Sequence, residues 1–193
     1  MTVHGSTGNP GRASLRERAD DRYDTPPQAV HALVKAEMLP LHIWEPACGA
    51  GSIVNVLREA GHTVMATDLQ NGGCYDSRFG IDFLMEYTAP IGCEAIITNP
   101  PYKLADQFVR HALTLVPKVI MLLRFNYLEG VGHSDIIDKH LAHVYLFRNR
   151  LPMMHRKNWA GPKSTSMVAF AWFSWMRGHT GPMTLSRLTW TDE

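Results

Sequence analysis

The sequence predicts an α/β fold: a mostly parallel sheet with helices on both faces and an antiparallel hairpin at its C-terminal edge. Three observations carry this. Between residues 28 and 125, short apolar runs alternate with segments of helical periodicity. A glycine-containing turn, Pro46 to Gly51, joins the first apolar run to a helical segment. Near the C-terminus, Val144 to Phe147 and Met167 to Trp175 read as strands separated by a polar, basic loop, Arg148 to Ser166.

The elements follow in order. Residues 1–14 are rich in Gly, Ser, Thr and Pro, and Arg12, Arg16, Arg18 and Arg22 continue them, so 1–22 is expected to be a flexible arm. Thr25-Pro26-Pro27 opens a helix over Gln28 to Leu39. Leu41 to Trp44 is a strand ending in Glu45, and a helix runs from Ser52 to Ala60, stopped by Gly61. Thr63 to Thr67 is the second strand, with Asp68 at its end. Residues 69–80 form a loop and Ile81 to Met85 a short segment of open state. Glu94 to Thr98 is a strand broken by Asn99-Pro100-Pro101-Tyr102. Leu104 to Val116 is helical, and Lys118 to Phe125 is a strongly apolar strand. Residues 23–193 thus form one domain.

Composition narrows the function. The chain has 193 residues, 45% of them hydrophobic, as in a soluble globular domain. No apolar run reaches the roughly 18 residues of a membrane helix, and the polar N-terminus lacks a secretion signal, so cytoplasmic residence is expected. Cys48, Cys74 and Cys93 have neither metal-ligand spacing nor an even number for disulfides. His140 and His143 lack an evident third ligand, and no metal is expected. Residues 1–138 carry 11 Lys/Arg against 16 Asp/Glu, whereas residues 139–191 carry 8 Lys/Arg and no acid. That basic final quarter suits a polyanionic partner, although a solvated basic face would look the same.

Three constellations carry chemistry. In Glu45-Pro46-Ala47-Cys48-Gly49-Ala50-Gly51 an acid ends a strand, and glycines let the backbone approach a ligand before a helix begins. A carboxylate there can accept from an ammonium group and would repel a pyrophosphate. Asp68, about 20 residues on at the next strand end, suits the hydroxyls of a ribose. A turn-capping role is the plainer reading of the same residue. Asn99-Pro100-Pro101-Tyr102 follows a buried strand, and its two prolines remove backbone donors and leave stiff carbonyls. The Asn99 side-chain oxygen and the Pro100 carbonyl are two acceptors for the two hydrogens of an exocyclic amine, beside a ring able to stack on a planar base.

These motifs resemble the amino-methyltransferases of the S-adenosylmethionine-dependent, Rossmann-like class I superfamily. Within it they resemble the DNA adenine-N6 group whose cofactor motif precedes the catalytic tetrapeptide, in a compact form without a separate target-recognition domain. Tyr23-Asp24-Thr25-Pro26 resembles the upstream segment that closes over the cofactor's methionine end, and Asp82-Phe83 the motif that meets its adenine. The resemblance covers residues 23 to about 125.

It implies S-adenosyl-L-methionine as cofactor. Thr25, Glu45 and Gly49 would hold the methionine portion, Asp68 the ribose, and Asp82 and Phe83 the adenine. Tyr23, Pro26, Pro46, Ala47, Cys48, Gly51, Leu69 and Asn99 would complete that site. Asn99 and the Pro100 carbonyl would grip the target amine, with Pro101 stiffening the turn and Tyr102 stacked on the flipped base. A carbon-5 cytosine methylase needs a catalytic cysteine, commonly after proline, and none of the three follows Pro. RNA adenine or protein glutamine as substrate, or a non-catalytic nucleic-acid-binding relative, are the alternatives. For double-stranded DNA the expected contacts are in 126–166: Asn126 to His133, then Arg148, Arg150, Arg156, Lys157, Trp159 and Lys163. Phe147 could wall the base pocket or be plain strand core. A domain this small buries little surface on a duplex, so a homodimer is expected.

Overall fold

The structure is a computed structural model describing residues 23–152, 154–155 and 168–191. Its strands are β1 (Tyr23–Asp24), β2 (His42–Glu45), β3 (Thr63–Asp68), β4 (Ser77–Phe79), β5 (Ala95–Thr98), β6 (Lys118–Arg124), β7 (Leu141–Phe147), β8 (Met154–His155), β9 (Phe170–Met176) and β10 (Thr184–Leu188). Its helices are α1 (Pro27–Ala36), α2 (Ser52–Glu59), α3 (Ala105–Leu115) and α4 (Ser134–His140), with short 3-10 turns between them.

Eight strands form one sheet in the order β10-β7-β9-β6-β5-β2-β3-β4, and β1 pairs separately with β8. The run β4-β3-β2-β5-β6 is parallel throughout. β9 is antiparallel to both β6 and β7, while β10 lies parallel to β7. The antiparallel pairing of the last predicted strands is therefore present, but it is not the edge of the sheet. β9 is buried at six successive positions, Phe170 to Trp175, and a strand covered on both faces belongs inside a sheet. β10, mostly exposed and only weakly alternating, takes the edge instead.

Each interior strand feeds two cores, because successive side chains point to opposite faces. Ile97, Ile120, Leu122 and Trp172 pack with Ala29 and Leu33 of α1 and Val54 and Leu57 of α2. Ile96, Val119, Met121 and Phe173 pack with Phe108, Val109 and Ala112 of α3 on the other side. Each such fully buried aliphatic side chain contributes on the order of 1.5–3 kcal/mol. α1 starts with proline at its first position and stops at Ala36, three residues before the predicted end. The reason is Glu37, which is extended and turns its carboxylate to Lys118 Nζ (2.6 Å) and to the Tyr145 hydroxyl. Residues 69–80 are not wholly loop, since Ser77–Phe79 adds an edge strand beside β3. The open segment 81–85 becomes a 3-10 turn, Phe83–Met85, capped by Asp82, whose carboxylate accepts from the Leu84 amide at 3.2 Å.

One buried polar contact ties β2 to β3: Trp44 Nε1 donates to Thr67 Oγ1 at 2.9 Å. Thr67→Val keeps the side-chain shape but strands the indole N–H. Urea unfolding should show a loss of about 1–3 kcal/mol, and a neutral outcome would mean the indole finds another acceptor.

Candidate active site

In the sheet, β3 and β4 extend to one side of β2, and β5 and β6 to the other. The direction of winding reverses between β2 and β5, so a crevice opens beyond their carboxyl ends. Most of the cofactor-site and catalytic candidates read from the sequence line it.

The turn after β2 makes one wall. Gly49 and Gly51 have φ of +56° and +91°, the left-handed region that favours glycine. A Cβ at Gly51 would also lie 2.9 Å from Cys74 Sγ. Pro46, Ala47, Cys48 and Gly49 line the crevice, followed by Ser52 and Ile53 at the start of α2. Cys48 and Cys93 are free thiols that burial pushes up to about 12 and about 11. Cys48 therefore faces the crevice as a neutral, small group rather than as a nucleophile.

Asp68 anchors that turn from the end of β3. Its Oδ2 accepts from the Gly49 amide and its Oδ1 from the Gln70 amide, both at 2.8 Å. It lines the crevice together with Leu69 and Gln70. Each oxygen retains a lone pair, so the turn-capping reading and the ribose reading are compatible in one residue. Ile81, Asp82, Phe83, Leu104 and Phe108 line the crevice as well. The Phe83 ring is held by Trp44 edge-on at 5.2 Å, by Phe108 at 4.8 Å and by His111 at 4.9 Å.

Glu45 departs from expectation. The sequence puts its carboxylate in contact with the ligand, but it is fully buried and does not line the crevice. Its Oε1 accepts from Thr98 Oγ1 at 2.5 Å and from the Ala47 amide at 3.0 Å. Among the described residues its Oε2 has no partner. Burial pushes the carboxyl up to about 8, helped by the nearby charge of Asp68 and opposed by the two hydrogen bonds. Glu45 thus shapes the turn and joins it to the end of β5.

At that end, Asn99, Pro100, Pro101 and Tyr102 line the crevice opposite the glycine turn. The Pro101 carbonyl is used by the Leu104 amide at 2.9 Å, closing a 3-10 turn, while no described residue donates to the Pro100 carbonyl. The Tyr102 ring lies beneath the Arg124 guanidinium, 4.7 Å from its centroid, and 5.8 Å from the Phe170 ring.

The other expected residues divide between the crevice and positions away from it. Thr25 is buried and lines it with Asp24, whereas Pro26 is buried but does not line it. Only the backbone of Tyr23 is described, paired with His155. Gly51 acts through the turn. Phe147 is strand core, 6% exposed. Arg148 and Arg150 are exposed just beyond β7, whereas Arg156, Lys157, Trp159 and Lys163 lie outside the described residues. Asn126 to His133 is not an open loop: Arg110 binds Asp135 and the Gly132 carbonyl, and His133 stacks on Tyr127 at 4.1 Å. Ser52, Ile53, Gln70, Ile81, Leu104 and Phe108 were not legible as site residues. Only the Leu104–Phe108 pair carried a signal, a spacing of four that puts both on one side of a helix.

Solved structures share this fold. A protein described as a modification subunit of a type I restriction enzyme from Vibrio vulnificus superposes with a TM-score of 0.56 at 14% identity. That match covers 90% of this chain and 49% of the other, so the chain spans about half the length of that relative. One described as an RNA methyltransferase from Pyrococcus horikoshii gives 0.59 at 12% identity, covering 83% and 88%. A dimethyladenosine transferase from Plasmodium falciparum gives 0.53 at 13%, covering 79% and 62%. The fold is that of a Rossmann-like class I methyltransferase. No protein-family model and no curated protein matches the sequence. Among the described residues, no helix is long and apolar enough to cross a membrane and no cluster of three or more His, Cys, Asp or Glu is placed to hold a metal.

The buried acid gives a pH signature. A carboxyl at about 8 when folded, against 4.5 ordinarily, keeps a proton that the unfolded chain has lost between those values. Its contribution is full below about pH 4.5 and fades as pH rises through about 8, by at most about 1.4 kcal/mol per pH unit. Glu45→Gln carries no charge at any pH. Denaturation at pH 5, 6.5 and 8 should show wild type losing stability relative to this variant, and parallel curves would refute the shifted carboxyl.

Proposed function

We propose that this chain transfers a methyl group from S-adenosylmethionine to the N6 amine of an adenine turned out of DNA. The observation that supports it most is the placement of Asn99 to Tyr102 at the end of β5, across one crevice from the glycine turn and Asp68.

The residues present fit the cofactor. The left-handed glycine turn and the opening of α2 leave room for an amino-acid end beside Thr25 and Asp24. Asp68 offers its remaining lone pairs to ribose hydroxyls, and the lining of Ile81, Phe83 and Phe108 with Asp82 suits an adenine. Glu45 supports that end by fixing the turn. When bound, the cofactor supplies a methyl already activated by sulfonium charge.

The chain's own residues then act on the target amine, whose lone pair is delocalised into the base. The Asn99 side-chain oxygen and the Pro100 carbonyl each accept one of its hydrogens, draw them from the ring plane and restore a directed lone pair on nitrogen. Pro101 keeps the pair rigid, and Tyr102 holds the base by stacking. Positioning and fixed dipoles account for the acceleration in this reading. Arg148 and Arg150, with Arg156, Lys157, Trp159 and Lys163, would meet the duplex, and a second copy of the chain would supply further contact area.

Asn99→Ala should lower methyl transfer by about 100-fold or more, with cofactor affinity by calorimetry nearly unchanged. Loss of both together would assign Asn99 a structural role. Labelled donor offered with duplex DNA, RNA and protein decides the substrate: label on adenine N6 in DNA supports the proposal, and label on RNA alone replaces it. Light scattering on the duplex should find two chains per site; a strict monomer would remove the dimer.

A further inference from the structure

Arg124 ends β6 beside the tetrapeptide. Thr98 pairs with Met121, so position 124 lies three residues beyond, level with the turn that follows Asn99. Its side chain is exposed, and among the described residues no carboxylate pairs with it. Its guanidinium carbon instead sits over the Tyr102 ring, 4.7 Å from the centroid, within cation–π range. Phe170 also meets that ring, at 5.8 Å and a tilt of 41°, too inclined for a parallel stack.

A guanidinium is planar and lies on an aromatic face much as a nucleobase does. The two cannot share the same face. An exposed cation–π contact is weaker than base–aromatic stacking, so an arriving base wins the ring. The displaced charge then needs an anion. A nucleotide brings one, because phosphate oxygens match the guanidinium fork. A glutamine side chain brings none.

We infer that Arg124 covers the base-stacking face of Tyr102 in the substrate-free chain and exchanges it for a phosphate flanking the target nucleotide. It is thereby a substrate-positioning residue for nucleic acid. This rests on the function proposed above.

The test is fluorescence anisotropy of a labelled adenine-containing single-stranded oligonucleotide with the full chain over a salt series. It compares wild type, Arg124→Ala and Arg124→Lys. Arg124→Ala should bind about tenfold more weakly at low salt, and its log–log salt slope should fall by about one. Arg124→Lys should restore the slope but not the whole affinity. In methylation assays the loss should fall on KM rather than kcat, with cofactor binding reporting intact folding. An unchanged slope, a loss confined to kcat, or no oligonucleotide binding by wild type overturns the inference. Arg124-dependent binding without label on any nucleic acid would sink the methyl-transfer reading alone. Label with an unaltered slope would sink this one alone.

Discussion

Where a parallel sheet reverses its winding, two neighbouring strand ends part and leave a gap that the chain must hold at a fixed width. Here the Glu45 carboxyl holds it. One oxygen receives both the Thr98 hydroxyl from β5 and the Ala47 amide from the turn after β2. The glycine turn and the Asn99 run leave the sheet immediately beyond these two anchors, so their separation depends on this junction. The cost is a fully buried acid whose second oxygen has no described partner. An apolar pair could fill the volume more cheaply but would not fix register between two exits. Retaining a proton to about pH 8 spares the junction a bare buried charge.

Asp68 repeats the device at the end of β3. Its two oxygens pin Gly49 and Gln70, yet it remains on the lining. A carboxylate held by two amides presents its remaining lone pairs in fixed directions. Asp82 works alike, capping Leu84 while lining the crevice. Asp68 and Asp82 therefore build the loops and line the crevice at once.

That double use explains what was legible in the sequence. Glycines at forced φ, an Asp at a strand end and a double proline are local requirements, and local requirements leave residue-type signatures. The parallel core followed from the same kind of reading, with strand boundaries within about three residues at Asp68, Arg124 and Leu141. What the sequence hid was set by tertiary packing. Whether Glu45 faces the crevice or the core depends on Thr98, 53 residues away. β10 is held by its register with β7, having little pattern of its own. α4, at seven residues, is too short for periodicity and is fixed instead by Arg110 reaching Asp135.

Topology also sets where the arginines that follow β6 and β7 emerge. β9 enters antiparallel between β6 and β7, so the segments after β6 and β7 and before β9 all emerge at the carboxyl edge of the parallel strands. Arg124, Arg148 and Arg150 leave the sheet on that same edge, as Asn99 does. The pairing of β8 with β1 then brings the chain that follows Arg150 back to Asp24 and Thr25, on the crevice wall. Had the final strands continued in parallel, those segments would have been divided between the two ends of the sheet. β6 and β7 run the same way, so Arg124, Arg148 and Arg150 share that edge, and the reversal of β9 starts it from there as well.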